Sequence, residues 1–79
     1  MMKHELWTNE DGLDMFCLAD KKGDAARELL EPGYSLIWTC EADSHFDAMT
    51  KYYAFRGWGE YTTNFPEEDQ KTYKERGWE

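Results

Sequence analysis

Between Tyr34 and Gly57 the chain changes its hydrophobic period from about 2 residues to about 3.6, and a cap marks the change. Leu36, Trp38, Cys40 and Ala42 alternate with Ser35, Ile37, Thr39 and Glu41, which predicts a strand over 34–42 with one apolar face. Ser44 follows, and Asp47 stands where a capping box wants its acidic residue, so a helix starts there. At about 100° per residue, Phe46, Met49, Tyr53, His45, Tyr52, Ala48 and Phe55 cover roughly half the circumference of a helix over 45–56. This is the principal core helix. Gly57 ends it, because a left-handed residue after the last turn suits glycine, and the residue after that glycine packs back on the helix. Here those partners are Trp58 and Tyr53.

The N-terminal half supplies the rest of a sheet. His4 to Thr8 reads as a short strand, Asn9-Glu10-Asp11-Gly12 as a turn, and 13–19 as a second strand. Asp20 to Gly23 reads as a loop, with Asp24 as N-cap of a helix over 25–31 that Pro32-Gly33 ends. The end of the main helix is echoed later, Tyr53-Ala54-Phe55-Arg56-Gly57-Trp58 against Tyr73-Lys74-Glu75-Arg76-Gly77-Trp78. One capping device used twice predicts a last helix over 66–76. Pro66 lies near its start, Glu67, Glu68 and Asp69 in its first turn, and Lys71, Lys74 and Arg76 toward its end. Phe65, Tyr73 and Trp78 are its strong apolar anchors, so this arm is expected to dock loosely. The expectation is a single α+β domain over 1–79. Its order is β-β-α-β-α, with a three-stranded, mainly antiparallel sheet, helices on one face, and a short C-terminal helical arm over 66–79. The third strand is placed beside the first.

At 79 residues the chain suffices for one domain, and such a domain buries only about 60% of its unfolded surface. The net charge is −8, and no Lys/Arg run is longer than Lys21-Lys22. That opposes phosphate neutralisation, so no nucleic-acid partner is expected, and anionic membrane surfaces are disfavoured for the same reason. No apolar stretch approaches the roughly 20 residues of a membrane span, and the N-terminus lacks the apolar region of a signal peptide. A cytoplasmic location follows as the expectation. Cys17 and Cys40 make no disulfide framework and are expected free and buried.

Constellations for chemistry are sparse. Cys17, Cys40, His4 and His45 lack metal-ligand spacing, so no metal and no cofactor are expected. Cys40 and His45 flank a strand-to-helix turn, yet Cys40 shares the apolar face with Trp38. Glu41, Asp43 and Asp47 are accounted for by strand alternation and capping. No phosphate-binding loop or nucleophile elbow is present, and Gly57-Trp58-Gly59 reads as a helix cap.

The aromatics are the informative feature, at 16% of residues. Tyr52, Phe55, Trp58, Tyr61 and Phe65 crowd the end of the main helix, more than one helix face can bury in so small a domain. Tyr52 and Trp58, with Tyr61 beside them, are the first candidates for an interface, and His45 for a ligand site.

The stretch from Trp38-Thr39-Cys40-Glu41-Ala42 through His45-Phe46-Asp47-Ala48-Met49 and Tyr52-Tyr53 to Gly57-Trp58-Gly59-Glu60-Tyr61 resembles a group of short uncharacterised bacterial proteins. Their shared pattern is a strand ending in Glu-Ala, a helix with Ala-Met and Tyr-Tyr, and then Gly-Trp-Gly-x-Tyr. It covers about a third of the chain. The resemblance implies a bacterial, cytosolic origin and carries no activity, cofactor or catalytic residue.

Three functions stand open on the sequence. The first is a non-enzymatic module that binds a protein partner or itself through the aromatic region. The second is an acidic inhibitor that mimics nucleic acid, using Glu10, Asp11, Asp14, Glu67, Glu68 and Asp69. The third is a small ligand-binding protein or enzyme with a site around His45, Glu41 and Tyr52.

Overall fold

The structure, a computed structural model, describes all of residues 1–79. Its elements run β1 (Met2–Thr8), β2 (Asp14–Leu18), α1 (Lys21–Glu28), β3 (Ser35–Ala42), α2 (His45–Arg56) and α3 (Pro66–Asp69). The three strands form one antiparallel sheet in the order β2-β1-β3, so the fold is α+β with the third strand beside the first. No helix is long and apolar enough to cross a membrane. The chain divides into two compact units, Lys3–Cys40 and Met1–Met2 with Glu41–Glu79.

In the Lys3–Cys40 unit the hairpin follows from its turn. Asn9 Oδ1 accepts from the Asp11 and Leu13 amides at 3.1 and 3.0 Å, and Gly12 takes a positive φ of 75°. This sets the register at His4↔Leu18, Leu6↔Phe16 and Thr8↔Asp14. Leu6 and His4 are buried, and His4 stacks on Phe16, which stacks on Trp38. Along β3, Trp38 and Cys40 are half-buried while Ser35, Ile37, Thr39 and Glu41 are exposed. Leu36, expected inside, is exposed.

The helix expected over 25–31 starts earlier, at Lys21. Its N-cap is Asp20, not Asp24; the Asp20 carboxylate accepts from the Lys22 amide at 2.9 Å. Gly23 is therefore inside the helix and not in a loop. It is buried because α1 crosses the end of β2 there. A Cβ at Gly23 would overlap the Leu18 carbonyl oxygen and lie 2.8 Å from Arg27 Nη1. Arg27 ties this junction by donating to Leu18 O at 2.6 Å and Asp20 O at 2.8 Å, and by pairing with Glu5 and Asp24.

In the second unit, Ser44 Oγ accepts from the Asp47 amide at 3.0 Å, and Asp47 Oδ2 accepts from the Asp43 amide at 3.2 Å. The helix ends at Gly57 in the left-handed region, φ 72°, with the Trp58 amide bonded to Tyr53 O at 3.0 Å. The same closure recurs at Gly77, φ 76°, where the Trp78 amide meets Tyr73 O at 2.8 Å. The predicted helix over 66–76 does not form as one piece. α3 stops at Asp69, and Thr72 makes an isolated antiparallel bridge to Ser44, with the Tyr73 amide on Asp43 O at 2.8 Å. Thr72 then starts a separate turn with its own capping box. Thr72 Oγ1 accepts from the Glu75 amide, and Glu75 Oε1 accepts from the Thr72 amide. Tyr73 is 2% exposed. The arm packs through Tyr73, despite the weak apolar pattern around it.

Candidate interaction surface

The end of α2 and the chain after it build one continuous set of aromatic contacts. Gly57 reverses the chain, which brings the Trp58 ring back against the helix, 5.2 Å from Tyr52 and 5.4 Å from Tyr53. Both contacts are edge-to-face, at 69° and 88°. Tyr53 passes the contact on to Tyr61 at 5.3 Å, and Tyr61 meets Phe46 at 5.4 Å and His45 at 6.4 Å. Such pairs each contribute about 0.5–1.5 kcal/mol beyond area burial, because ring edges are positive and faces negative. The four residues singled out in the sequence thus belong to one run of touching rings, joined through Tyr53.

Their exposures differ. Tyr52 is buried, at 7% exposed, so it is a foot of the cluster and no contact surface for a partner. Its position on the helix, facing the same side as buried Ala48, explains this. Trp58 is 54% exposed although two tyrosines hold its ring. Tyr61 is half-buried and His45, the first residue of α2, is exposed. Phe55 and Phe65 add further exposed apolar surface.

Tyr61 also closes the loop onto α3: its hydroxyl donates to Asp69 Oδ2 at 2.8 Å. Burial pushes the Tyr61 phenol up, and the bond to Asp69 adds to that. The same hydroxyl holds the Asp69 carboxyl below the usual carboxylate range. Tyr61 and Asp69 thus satisfy one another across the intervening loop. Asp69 had no place in the sequence reading of this site. No residue spacing links it to Tyr61 across the intervening loop.

The other constellations are taken up structurally. Burial pushes the Cys17 thiol up, while Arg27 beside it pulls down. The Glu41 carbonyl accepts from Lys51 Nζ at 2.6 Å. No three His, Cys, Asp or Glu side chains converge as a metal site would need. Of the acids proposed for nucleic-acid mimicry, Glu68 pairs with Lys71 at 3.2 Å and Arg76 at 3.3 Å, and Asp69 takes the Tyr61 hydroxyl. Two of that set are thus turned to internal partners. No family model, curated protein or solved structure matches this chain.

Proposed function

We propose that the chain is a protein-interaction module whose docking surface is centred on Trp58, with Tyr61 and Phe65 as its flanks. The observation that carries this reading is the Trp58 indole, half exposed yet fixed by Tyr52 and Tyr53. A large ring held in place before contact loses little freedom on binding, which is why such residues anchor interfaces. The surrounding charge selects the partner's chemistry. Glu60 and Glu67 are exposed near these rings in the sequence, and the chain carries −8 overall. The partner is a protein segment that is both apolar and basic.

The test is capture by the immobilised chain, comparing wild type with Trp58→Ala and with Trp58→Ala/Phe65→Ala. Affinities are then remeasured between purified components. The variants should bind at least about tenfold more weakly, and added salt should weaken wild-type binding. A partner held equally well by all three proteins would refute the reading.

A further inference from the structure

We infer that the exposed indole of Trp58 takes a guanidinium, so that a partner docks by laying an arginine side chain flat on that ring. The inference rests on Trp58 being the docking surface and adds which group of the partner meets it. It starts from the two Arg-Gly-Trp sequences, at Arg56 and at Arg76. Both close in the same way, with the glycine at φ 72° and 76° and the tryptophan amide on a tyrosine carbonyl. Their rings are finished differently. Trp78 has Tyr73 stacked on it at 5.7 Å and 13°, and the Arg76 guanidinium over it at 5.6 Å. Glu68 holds that guanidinium through its carbonyl at 2.5 Å and its carboxylate at 3.3 Å. Arg56 has the place in its own sequence that Arg76 has, yet its guanidinium lies over Phe55, at 5.6 Å. Tyr52 and Tyr53 meet Trp58 at 69° and 88°, so neither ring lies flat on the indole. Trp58 is 54% exposed against 43% for Trp78. The same device thus carries a cation on one tryptophan and leaves the other open to one.

Ring chemistry and charge select the same occupant. The face of an indole is negative, and a guanidinium is planar, weakly hydrated and always charged, so it stacks where an ammonium keeps its water. From Gly57 to Gln70 the chain carries Glu60, Glu67, Glu68 and Asp69 and no base, so the segment that holds Trp58 draws cations. Glu68 and Asp69 are engaged within the chain, while Glu60 and Glu67 are exposed to meet further positive charge on the same partner.

The experiment is a titration of the whole chain with three capped peptides of one frame, Gly-Leu-X-Gly-Leu-X-Gly, in which X is arginine, lysine or citrulline. Citrulline has the shape of arginine without its charge. Nuclear magnetic resonance follows the Trp58 and Trp78 indole N–H signals and the Gly57 and Gly59 amides, at high salt, where surface carboxylates are screened. Trp58→Ala identifies the Trp58 signal, and Trp58→Leu keeps an apolar side chain without a ring face. Circular dichroism confirms that both variants are folded. In wild type the arginine peptide should shift Trp58 more than Trp78. It should bind about two- to fivefold more tightly than the lysine peptide, and at least as much more tightly than the citrulline peptide. Trp58→Leu should bind all three alike. A wild type that shifts at Trp58 with all three peptides equally overturns the inference and leaves Trp58 a docking surface for apolar groups. A leucine variant that keeps the arginine preference, or a Trp78 signal that moves ahead of Trp58, overturns it too, because the cation then sits elsewhere. A Trp58 signal that the arginine peptide leaves unmoved also overturns it, and the capture comparison with Trp58→Ala decides separately whether this surface docks a partner.

Discussion

A methyl group at Gly23 has nowhere to go. In an ordinary helix interior, glycine to alanine is stabilising by about 0.5–1 kcal/mol, because glycine loses more freedom on folding. At this position the added carbon would overlap the Leu18 carbonyl oxygen and press on Arg27 Nη1. The oxygen belongs to the sheet backbone and the guanidinium is anchored by Leu18 and Asp20, so neither yields cheaply. Gly23→Ala should therefore destabilise the protein by about 1–3 kcal/mol, the range for overpacking. Urea denaturation checks the sign: a variant more stable than wild type would mean that α1 does not lie so close to β2. Gly23 also marks the limit of the sequence reading at this scale. In the sequence it reads as a loop signal, because a single sequence shows what a glycine permits, never what lies against it. The same holds for Asp20 and Asp24, which are equally good N-caps by type and are distinguished only by where the helix meets the strand.

Among the elements, α2 was legible end to end, since both of its boundaries are written in local chemistry. Ser44 and Asp47 close the first turn and Gly57-Trp58 the last, and neither depends on distant residues. The segment after Pro66 was legible only in part. Its caps are local, including the Thr72-x-x-Glu75 box, but its continuity is not. The Tyr73 amide bonds Asp43 O, and that long-range pairing overrides helix propensity between Asp69 and Thr72. The short α3 then leans on two carboxylates. Lys71, followed by Arg76, holds Glu68 below its ordinary range, and the Tyr61 hydroxyl does the same for Asp69. A carboxylate depressed in the folded state contributes stability above its unfolded pKa and loses it as pH falls through the depressed value. The turn over Pro66–Asp69 should accordingly loosen below about pH 4 while staying intact at neutral pH. Exchange of the Asp69 and Gln70 amides, which bond Phe65 O and Pro66 O at 3.0 Å, reports on it directly. Asp69→Asn keeps an acceptor for Tyr61 but removes the ionisation, so its profile should be flatter than that of wild type. Amides equally protected from pH 6 to about pH 2 would show that neither carboxylate holds the turn.

At the scale of the whole molecule the scarce resource is buried volume. Leu6 is the largest side chain that is fully buried, and the other buried apolar residues are Ala42, Ala48, Tyr52 and Tyr73. Of the aromatics, only Tyr52 and Tyr73 are among these few; Phe55, Trp58, Phe65 and Trp78 are exposed and the others are half-buried. A 79-residue chain at about 0.05–0.15 kcal/mol per residue is stable by about 4–12 kcal/mol. Removing a buried leucine side chain costs about 2.7–5 kcal/mol, from lost transfer energy and the cavity left behind. Leu6→Ala is therefore expected to cost a large share of the total. Leu6 sits opposite Phe16 in the central strand of the sheet. Leu29→Ala removes the same atoms from a side chain that is 77% exposed, and should change stability by no more than about 0.5 kcal/mol. Urea unfolding of both variants at one fixed protein concentration makes the comparison independent of self-association. Equal midpoints for the two would mean that Leu6 is not the pivot of the sheet. A Leu6→Ala variant unfolded at room temperature beside an unaffected Leu29→Ala would show that one residue supports most of what this short chain can bury.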